Sequence, residues 1–443
     1  MEEKNSEKKE RKMRDSGIPW IGEVPEKWKV MKIGHCFRLK NEKNFLPENK
    51  VQLLSLYTGI GVFPTNSEKA KTSGNHAQTV NGYKIVHKND IVVNIILAWM
   101  GSIGVSDYDG VVSPAYDVYT PDLSKVIPRY AHYVFRTDGI AGECLKYGRG
   151  IMMMRWRTYS PEFKQIKIPF PSLKEQHRIA DFLDSKCSEI DTLIENLRVR
   201  VESAKEYKKA VITEAVTKGL DKDAKMKDSW VEWIGEVPEG WKICKVKQIS
   251  NKITDGAHIS PDTTNGEFKF LSVTNMNDTG ALDFVNCLKI NSVQYAYLVK
   301  TGCQPKKDDV LISKDGTIGK TTVVSDNNFV VASSLVIIRP NQLKIRPKYL
   351  KYCLMSNIVQ EQLLSVLAGS ALKRVSIEKN ANLKFVYTYD MTTQQQIIDY
   401  LDSKCSEIDT LLQNYEDQIA TLEEYKKSLI YEYITGKKEV PEA

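Results

Sequence analysis

The eleven residues LDSKCSEIDTL run from Leu183 to Leu193 and recur, letter for letter, from Leu401 to Leu411. In a chain of 443 residues a chance recurrence of that length is negligible. The segment is therefore either a duplicated domain element or a repeated contact surface, and a repeat constrains the fold before any local pattern does. Its surroundings repeat as well. From Lys174 to Lys218 there are 45 residues without Gly or Pro, rich in Glu, Lys, Ala and Leu, and from Thr392 to Thr435 another 44 of the same kind. Ile190, Leu193, Leu197, Ala204, Tyr207 and Val211 in the first stretch, and Ile408, Leu411, Tyr415, Leu422, Tyr425 and Leu429 in the second, fall at spacings of three, four and seven. That spacing predicts an apolar seam on each of two long helices. At about 1.5 Å per residue each helix reaches roughly 65 Å, more than a compact domain needs. Such a helix must cover its apolar stripe. Two partners are open: the other helix, in antiparallel sense, or the helix's own lobe.

A second repeat opens each lobe. MRDSGIPWIGEVPEKWKVMKI, Met13 to Ile33, matches MKDSWVEWIGEVPEGWKICKV, Met226 to Val246, with WIGEVPE identical. Weaker echoes follow inside the lobes: GSIG at Gly101 against GTIG at Gly316, and IPRYAHY at Ile127 against RPKYLKY at Arg346. The chain thus reads as opening motif, lobe, long helix, stated twice. Within the lobes, IVVNIIL, DVLIS, NFVVASSLVIIRP and FKFLSVT, broken by NDTG and KDG turns, read as strands and hairpins, with helices near Tyr130 to Phe135 and Tyr349 to Leu367. The expected fold class is α+β: two mixed lobes in pseudo-two-fold repeat, separated by two long helices packed as an antiparallel coiled coil. The boundaries read as a charged tail over 1–14, lobes over 15–172 and 221–390, long helices over 173–220 and 391–436, and a tail over 437–443.

The totals narrow the function classes. The length suits two or three domains, each with its own core. No run of eighteen apolar residues and no apolar segment behind MEEKNSEKKERKMR is present, so a cytoplasmic protein without a membrane span is expected. Eight scattered cysteines lack any C-x-x-C spacing and read as reduced thiols. Of the net charge of +7, the first long helix contributes nothing and the second −6, leaving +13 for the rest of the chain. A basic surplus concentrated there suits polyanion binding, although an ordinary solvated surface has the same composition.

KDGTIGKTT, Lys314 to Thr322, is too short between Gly316 and Gly319 for a phosphate-wrapping loop. It reads instead as a loop that brings backbone toward DNA, with Lys314, Thr317 and Lys320 as contacts; Trp99 and Ser102 stand similarly in the first lobe. YGRGIMMMRWR interleaves Arg149, Arg155 and Arg157 with Tyr147 and Trp156, which suits a groove contact or, more plainly, a solvated amphipathic turn. GSALKR offers Ser370, Lys373 and Arg374 at the matching place. No histidine pair, nucleophile elbow, dinucleotide fingerprint or metal cluster appears. The chain has the features of a reader, without catalytic residues, cofactor or metal.

Together, the two-fold layout, the WIGEVPE-x-W motif, the GSIG and GTIG loops, VVSPAY at Val111 to Tyr116, and PFPSLKEQHRIADFLD leading into the first long helix resemble the DNA specificity subunit of type I restriction-modification systems. The resemblance implies two target recognition domains, each reading one half of a bipartite, asymmetric DNA sequence, and two helices that act as a spacer. It also implies docking of two methyltransferase subunits, joined by two translocating nuclease subunits in the full complex, and no catalysis by this chain. Cys187, Glu189 and Asp191, with Cys405, Glu407 and Asp409, are the expected docking residues. One departure stands at the second helix, which begins Thr392, Thr393, Gln394 where the first has Lys174, Glu175, Gln176, and which lacks the proline approach. Alternatives to this reading are a methyltransferase or nuclease carrying its own reader, and a structural coiled-coil protein with incidental basic lobes.

Overall fold

The computed structural model describes residues 11–65, 80–151, 156–277, 279–368 and 374–441. They divide into two compact units, one formed by the chain up to Asn196 together with Gln418 onward, the other by Leu197–Asp417. Both units draw on both long helices, Leu173–Lys218 and Met391–Ile434.

In the first unit a four-stranded antiparallel sheet runs in the order Phe37–Lys40, Tyr116–Pro121, Ile91–Asn94, Ile103–Val105. Ile91–Asn94 is buried at every position, which is why its apolar residues are continuous instead of alternating. The opening motif forms the hairpin Met13–Asp15 with Glu23–Pro25, and Lys29–Lys32 pairs with Lys167–Phe170, so the start and the end of the lobe meet. The second unit repeats this plan. Its sheet runs Ser250–Asp255, Leu335–Pro340, Val310–Ser313, Thr321–Val323, its hairpin is Met226–Asp228 with Glu236–Pro238, and Lys242–Lys245 pairs with Lys384–Tyr387. It adds a three-stranded sheet, Leu288–Ile290, Phe268–Leu271, Phe329–Val331, whose last pair is parallel. Asn89 and Asp308 hold matching left-handed positions (φ 75° and 70°) just before the central strands, where a short polar side chain tolerates that backbone.

The expected helix from Tyr349 to Leu367 is two helices, Pro347–Met355 and Asn357–Ala368. Ser356 is extended between them (ψ 148°), and its carbonyl receives Val359 and Gln360 N–H, which starts a new helix. The strands expected around Ile91, Asp309, Asn328 and Phe268 are present.

Each long helix starts on a side-chain oxygen. Ser172 Oγ accepts Glu175 N–H at 3.3 Å, and the Asp390 carboxylate accepts Thr392 and Thr393 N–H at 3.0 and 3.1 Å. Asp390 stands where the first helix has Ser172, so the second helix is capped at the equivalent position without a preceding proline. Gly219 and Gly436 (φ 76° and 74°) end the helices in the left-handed conformation. One turn inside each start, Gln176 and Gln394 tie helix to lobe. Gln176 Nε2 donates to Lys125 and Pro171 carbonyls, and its Oε1 accepts Ile127 N–H. Gln394 Nε2 donates to Lys344 and Thr388 carbonyls, and its Oε1 accepts Arg346 N–H. Both amides are fully buried.

The helices pack antiparallel inside each unit. In the first, Leu183, Cys187, Ile190 and Ile194 share a core with Leu429, Ile430, Tyr433 and with lobe residues Tyr130, Phe135 and Phe163. In the second, Val211, Ile212, Ala215 and Val216 share one with Ile397, Leu401, Cys405 and with Tyr349, Leu350 and Phe385. Both partners left open by the sequence are used: each helix covers the other and its lobe. The seam differs from the sequence expectation at four places. Leu193 and Tyr207 are 52% and 60% exposed, and their repeats Leu411 and Tyr425 are exposed too. The buried line is Leu183, Cys187, Ile190, Ile194, Leu197 and Val201, a strict alternation of four and three. Both registers keep a 3.5 period, so the choice falls to the facing elements: Cys187, Ile190 and Ile194 meet Leu429, Ile430 and the lobe core, and Leu193 is left outside it.

Among the described residues no helix is long and apolar enough to cross a membrane. All eight cysteines are unpaired, and all but Cys287 are buried. Replacing Gln394 with Leu takes the amide donor from the Thr388 carbonyl and the acceptor from the Arg346 N–H, while the Lys344 carbonyl keeps the Tyr387 hydroxyl, so the variant should lose about 2–4 kcal/mol in chemical denaturation. A loss below 1 kcal/mol would show that the amide does not anchor the helix.

Candidate functional site

The basic candidates separate by burial. Ser102 is fully buried in the strand connection of the first sheet, and Trp99 is half-buried with its Nε1–H donated to Ile96 O at 3.0 Å. In the equivalent connection of the second sheet, Lys314 is only 4% exposed, and its ammonium meets the Asp255 carboxylate at 2.6 Å. Its length is spent inward because Asp255 ends the edge strand Ser250–Asp255, one strand beyond Leu335–Pro340 in the same sheet. Lys320 donates to Met276 O at 2.9 Å, whereas Thr317 is exposed between Gly316 and Gly319. Arg374 is exposed and grips Asp315 through two bonds of 2.7 and 2.8 Å. Arg155, Ser370 and Lys373 lie outside the described residues.

Arg149 and Arg157 face each other across a short antiparallel bridge. They line an open concavity of about 480 Å³ with Gly150, Ile151 and Tyr159. Arg149 lies over the Tyr159 ring at 5.3 Å and reaches Glu162 at 3.1 Å, so its guanidinium is oriented yet largely exposed. This is the one place among the sequence candidates where two described arginines and an aromatic ring share a surface.

A second arrangement joins four of the expected docking residues, Cys187, Asp191, Cys405 and Asp409, to lobe residues that the sequence did not single out. Each unit carries a groove beside its helix seam. The first, about 660 Å³, is lined by His132, Tyr133, Arg136, Asp184, Cys187, Ser188, Asp191, Thr192, Glu195, Asn196, Lys426 and Ile430. The other, about 490 Å³, is lined by Lys208, Thr279, Lys351, Tyr352, Met355, Asp402, Cys405, Ser406, Asp409, Thr410, Gln413 and Asn414. Apart from Ile430 in the first and Thr279 in the second, the two linings match position by position. Tyr133 Oη donates to Asp184 at 2.6 Å, and Tyr352 Oη donates to Asp402 at 2.6 Å. Lys426 meets Asp191 at 2.6 Å, and Lys208 meets Asp409 at 2.6 Å, the same contact with the roles of the helices exchanged. Burial drives the Asp402 carboxyl upward, but hydrogen bonds from Lys348 and Tyr352 prevail and hold it below its ordinary value. Burial pushes the His132 imidazole down to about 4, with Arg136 adding to the effect, so it is neutral near pH 7. The matching Lys351 is also lowered, first by burial and then by Lys208.

Of the expected docking residues, Asp191 and Asp409 line these grooves. Cys187 and Cys405 form the groove floors as buried thiols whose pKa is raised by burial. Glu189 and Glu407 are exposed on the helices and pair locally with Lys186 and Lys404 at 2.8 Å. The signal for the missed tyrosines was in the IPRYAHY and RPKYLKY echo, whose spacing nearly equals that of LDSKCSEIDTL. Both repeats therefore belong to one surface.

A chain built twice on the same plan, with matching grooves, restricts the comparison to proteins of internally repeated architecture. The family model for the type I restriction modification DNA specificity domain matches residues 25–203 and 238–421. The chain belongs to that family. Its two lobes are target recognition domains, and it is a type I restriction-modification specificity subunit. Relatives include the type I restriction enzyme MjaVIII specificity subunit of Methanocaldococcus jannaschii, 25% identical over 94% of this chain and 93% of that one. The EcoBI specificity subunit of Escherichia coli is 24% identical over 61% of this chain and 58% of its own length. The fold is shared with a solved chain described in terms of complex assembly and conformational transition of the type I R-M system. That chain is 15% identical, with a TM-score of 0.65 over 94% of this chain and 99% of that one.

Burial decides which of the basic residues on the lobes reach solvent. Lys314→Met should destabilise the protein by about 3 kcal/mol, because it removes the buried ammonium from the Asp255 carboxylate and leaves the largely exposed His258, at 2.8 Å, as its remaining ion-pair partner among the described residues. Arg374→Ala should leave stability nearly unchanged, since its ion pair is solvated. Parallel denaturation curves check both, and equal losses would contradict this assignment of roles.

Proposed function

We propose that this chain is a non-catalytic reader, in which each target recognition domain reads one half of a bipartite, asymmetric DNA sequence and the long helices set the spacer between the halves. The observation that carries this reading is the groove built twice, with Tyr133, Asp184, Asp191 and Lys426 in one unit and Tyr352, Asp402, Asp409 and Lys208 in the other. Two equivalent surfaces on one chain suit two copies of one partner, and here the partner is a DNA methyltransferase subunit. Two copies of a restriction and translocation subunit complete the full complex. The exposed Arg149, Thr317 and Arg374 and the half-buried Arg157 supply DNA contacts, together with Arg155 and Lys373. Lys314, Ser102 and Trp99 act through packing of the loops that present them.

Phosphate contact by arginine leaves a measurable trace, because each neutralised phosphate releases a counterion. Arg149→Ala and Arg157→Ala in the methyltransferase complex should each lower the slope of log affinity against log salt by about 1. Unchanged slopes would remove that concavity from the DNA surface. Matched insertion of seven residues into both helices adds about 10 Å of helix, on the order of three base pairs of duplex length. Genome-wide modification mapping should then show a longer spacer with both half-sites unaltered; an altered half-site would refute the spacer role.

A further inference from the structure

The opening hairpin is built alike in the two units but finished differently. In the first unit Gly17 N–H donates to Asp15 Oδ1 at 2.9 Å and Ile18 N–H to Ser16 Oγ at 3.1 Å. In the second, Trp230 N–H donates to Asp228 Oδ1 at 2.8 Å and Val231 N–H to Ser229 Oγ at 3.2 Å. The turn is therefore made by Asp and Ser, and it forms equally with glycine at its centre. Gly17 has φ +70° and Trp230 has φ +59°, a left-handed backbone that a bulky residue adopts only at a cost in strain. Trp230 gains no burial in return: it is 90% exposed.

Trp233 stands out beside it. Its repeat counterpart Trp20 packs against Gly139, where even a single Cβ would come within 2.2 Å of the indole. The equivalent of Gly139, one residue into the corresponding helix Asn357–Ala368, is Ile358. The β-branched Ile358, itself buried, stands at the position where Gly139 leaves room for an indole, and Trp233 is 44% exposed. Two tryptophans are thus presented on one turn of the second unit, in a stretch of sequence whose first-unit copy has one tryptophan and a glycine. From Asp228 to Glu236 the turn carries three carboxylates, Asp228, Glu232 and Glu236, all exposed, and no cation. That charge repels a phosphate backbone and suits a cationic protein surface, on which arginine or lysine stacks against indole.

The geometry points to Trp230 and Trp233 as a docking knob for a cationic, apolar segment of the methyltransferase copy held by the second unit, with no equal in the first. This rests on the reading under Proposed function and adds that the two copies are held unequally. Exposed tryptophan is the residue type most often found to dominate an interface, so one side chain should carry a measurable share of the affinity.

The test uses the full chain and its methyltransferase, with uptake of successive copies followed by native mass spectrometry or sedimentation. Trp230→Gly installs the first unit's own residue and relieves strain, so its melting temperature should equal or exceed that of the parent. Uptake of one methyltransferase copy should weaken about tenfold, and Glu232→Lys should weaken the same step. The inference is overturned if both copies bind the Gly variant as they bind the parent, or if the change appears only in DNA affinity or in self-association of the chain. If the parent takes up no methyltransferase at all, the reading under Proposed function falls, and this one with it.

Discussion

Everything described here depends on the antiparallel contact between two long helices, made once in each unit. A helix of this length with an apolar face has no stable existence in water by itself, and the seam from Leu183 through Ile194 gives it one by sharing a core with Leu429 to Tyr433 and with the lobe. Burial of side chains of this size is worth about 1.5–3 kcal/mol each, against which a partly solvated lysine–aspartate pair contributes little. The Asp191–Lys426 and Lys208–Asp409 pairs therefore matter less for stability than for register: each is satisfied at only one axial offset of the two helices.

That register positions the grooves. Tyr133 and Tyr352 come from lobe helices, their carboxylate partners Asp184 and Asp402 from the long helices, and the lysines from the opposite long helix. A groove so assembled exists only when lobe, first helix and second helix are all in place. The buried glutamines Gln176 and Gln394 secure the lobe to the helix at the other end of the same contact, which couples what a lobe grips to where the helix points.

The two units are copies in frame and not in detail. Glycine at 139 admits Trp20, while the second unit has Ile358 at that position and a Trp233 that is 44% exposed. His132 and Arg136 in one groove stand where Lys351 and Met355 stand in the other. Duplication supplies matching scaffolds, and substitutions at single positions give each a different surface. Such divergence accords with a family whose two target recognition domains sit in one chain.

Much of this was legible in the amino-acid order. The repeats of LDSKCSEIDTL and WIGEVPE gave the two-fold plan, the absence of Gly and Pro gave the long helices to within a residue at each end, and the β-branched runs gave the central strands. Those features are local, or are periodic along one element, and so survive without knowledge of what lies opposite. The choice between the seam through Leu193 and the one through Ile194 was not legible, because both are apolar and only the facing helix selects between them. Nor was the inward turn of Lys314, which depends on Asp255 across the sheet, or the grouping of Tyr133 with Lys426 from the far end of the chain. Sequence determined which elements form and that they form twice; the tertiary structure alone decided which charges are buried and which reach solvent, because burial depends on neighbours that are distant along the chain.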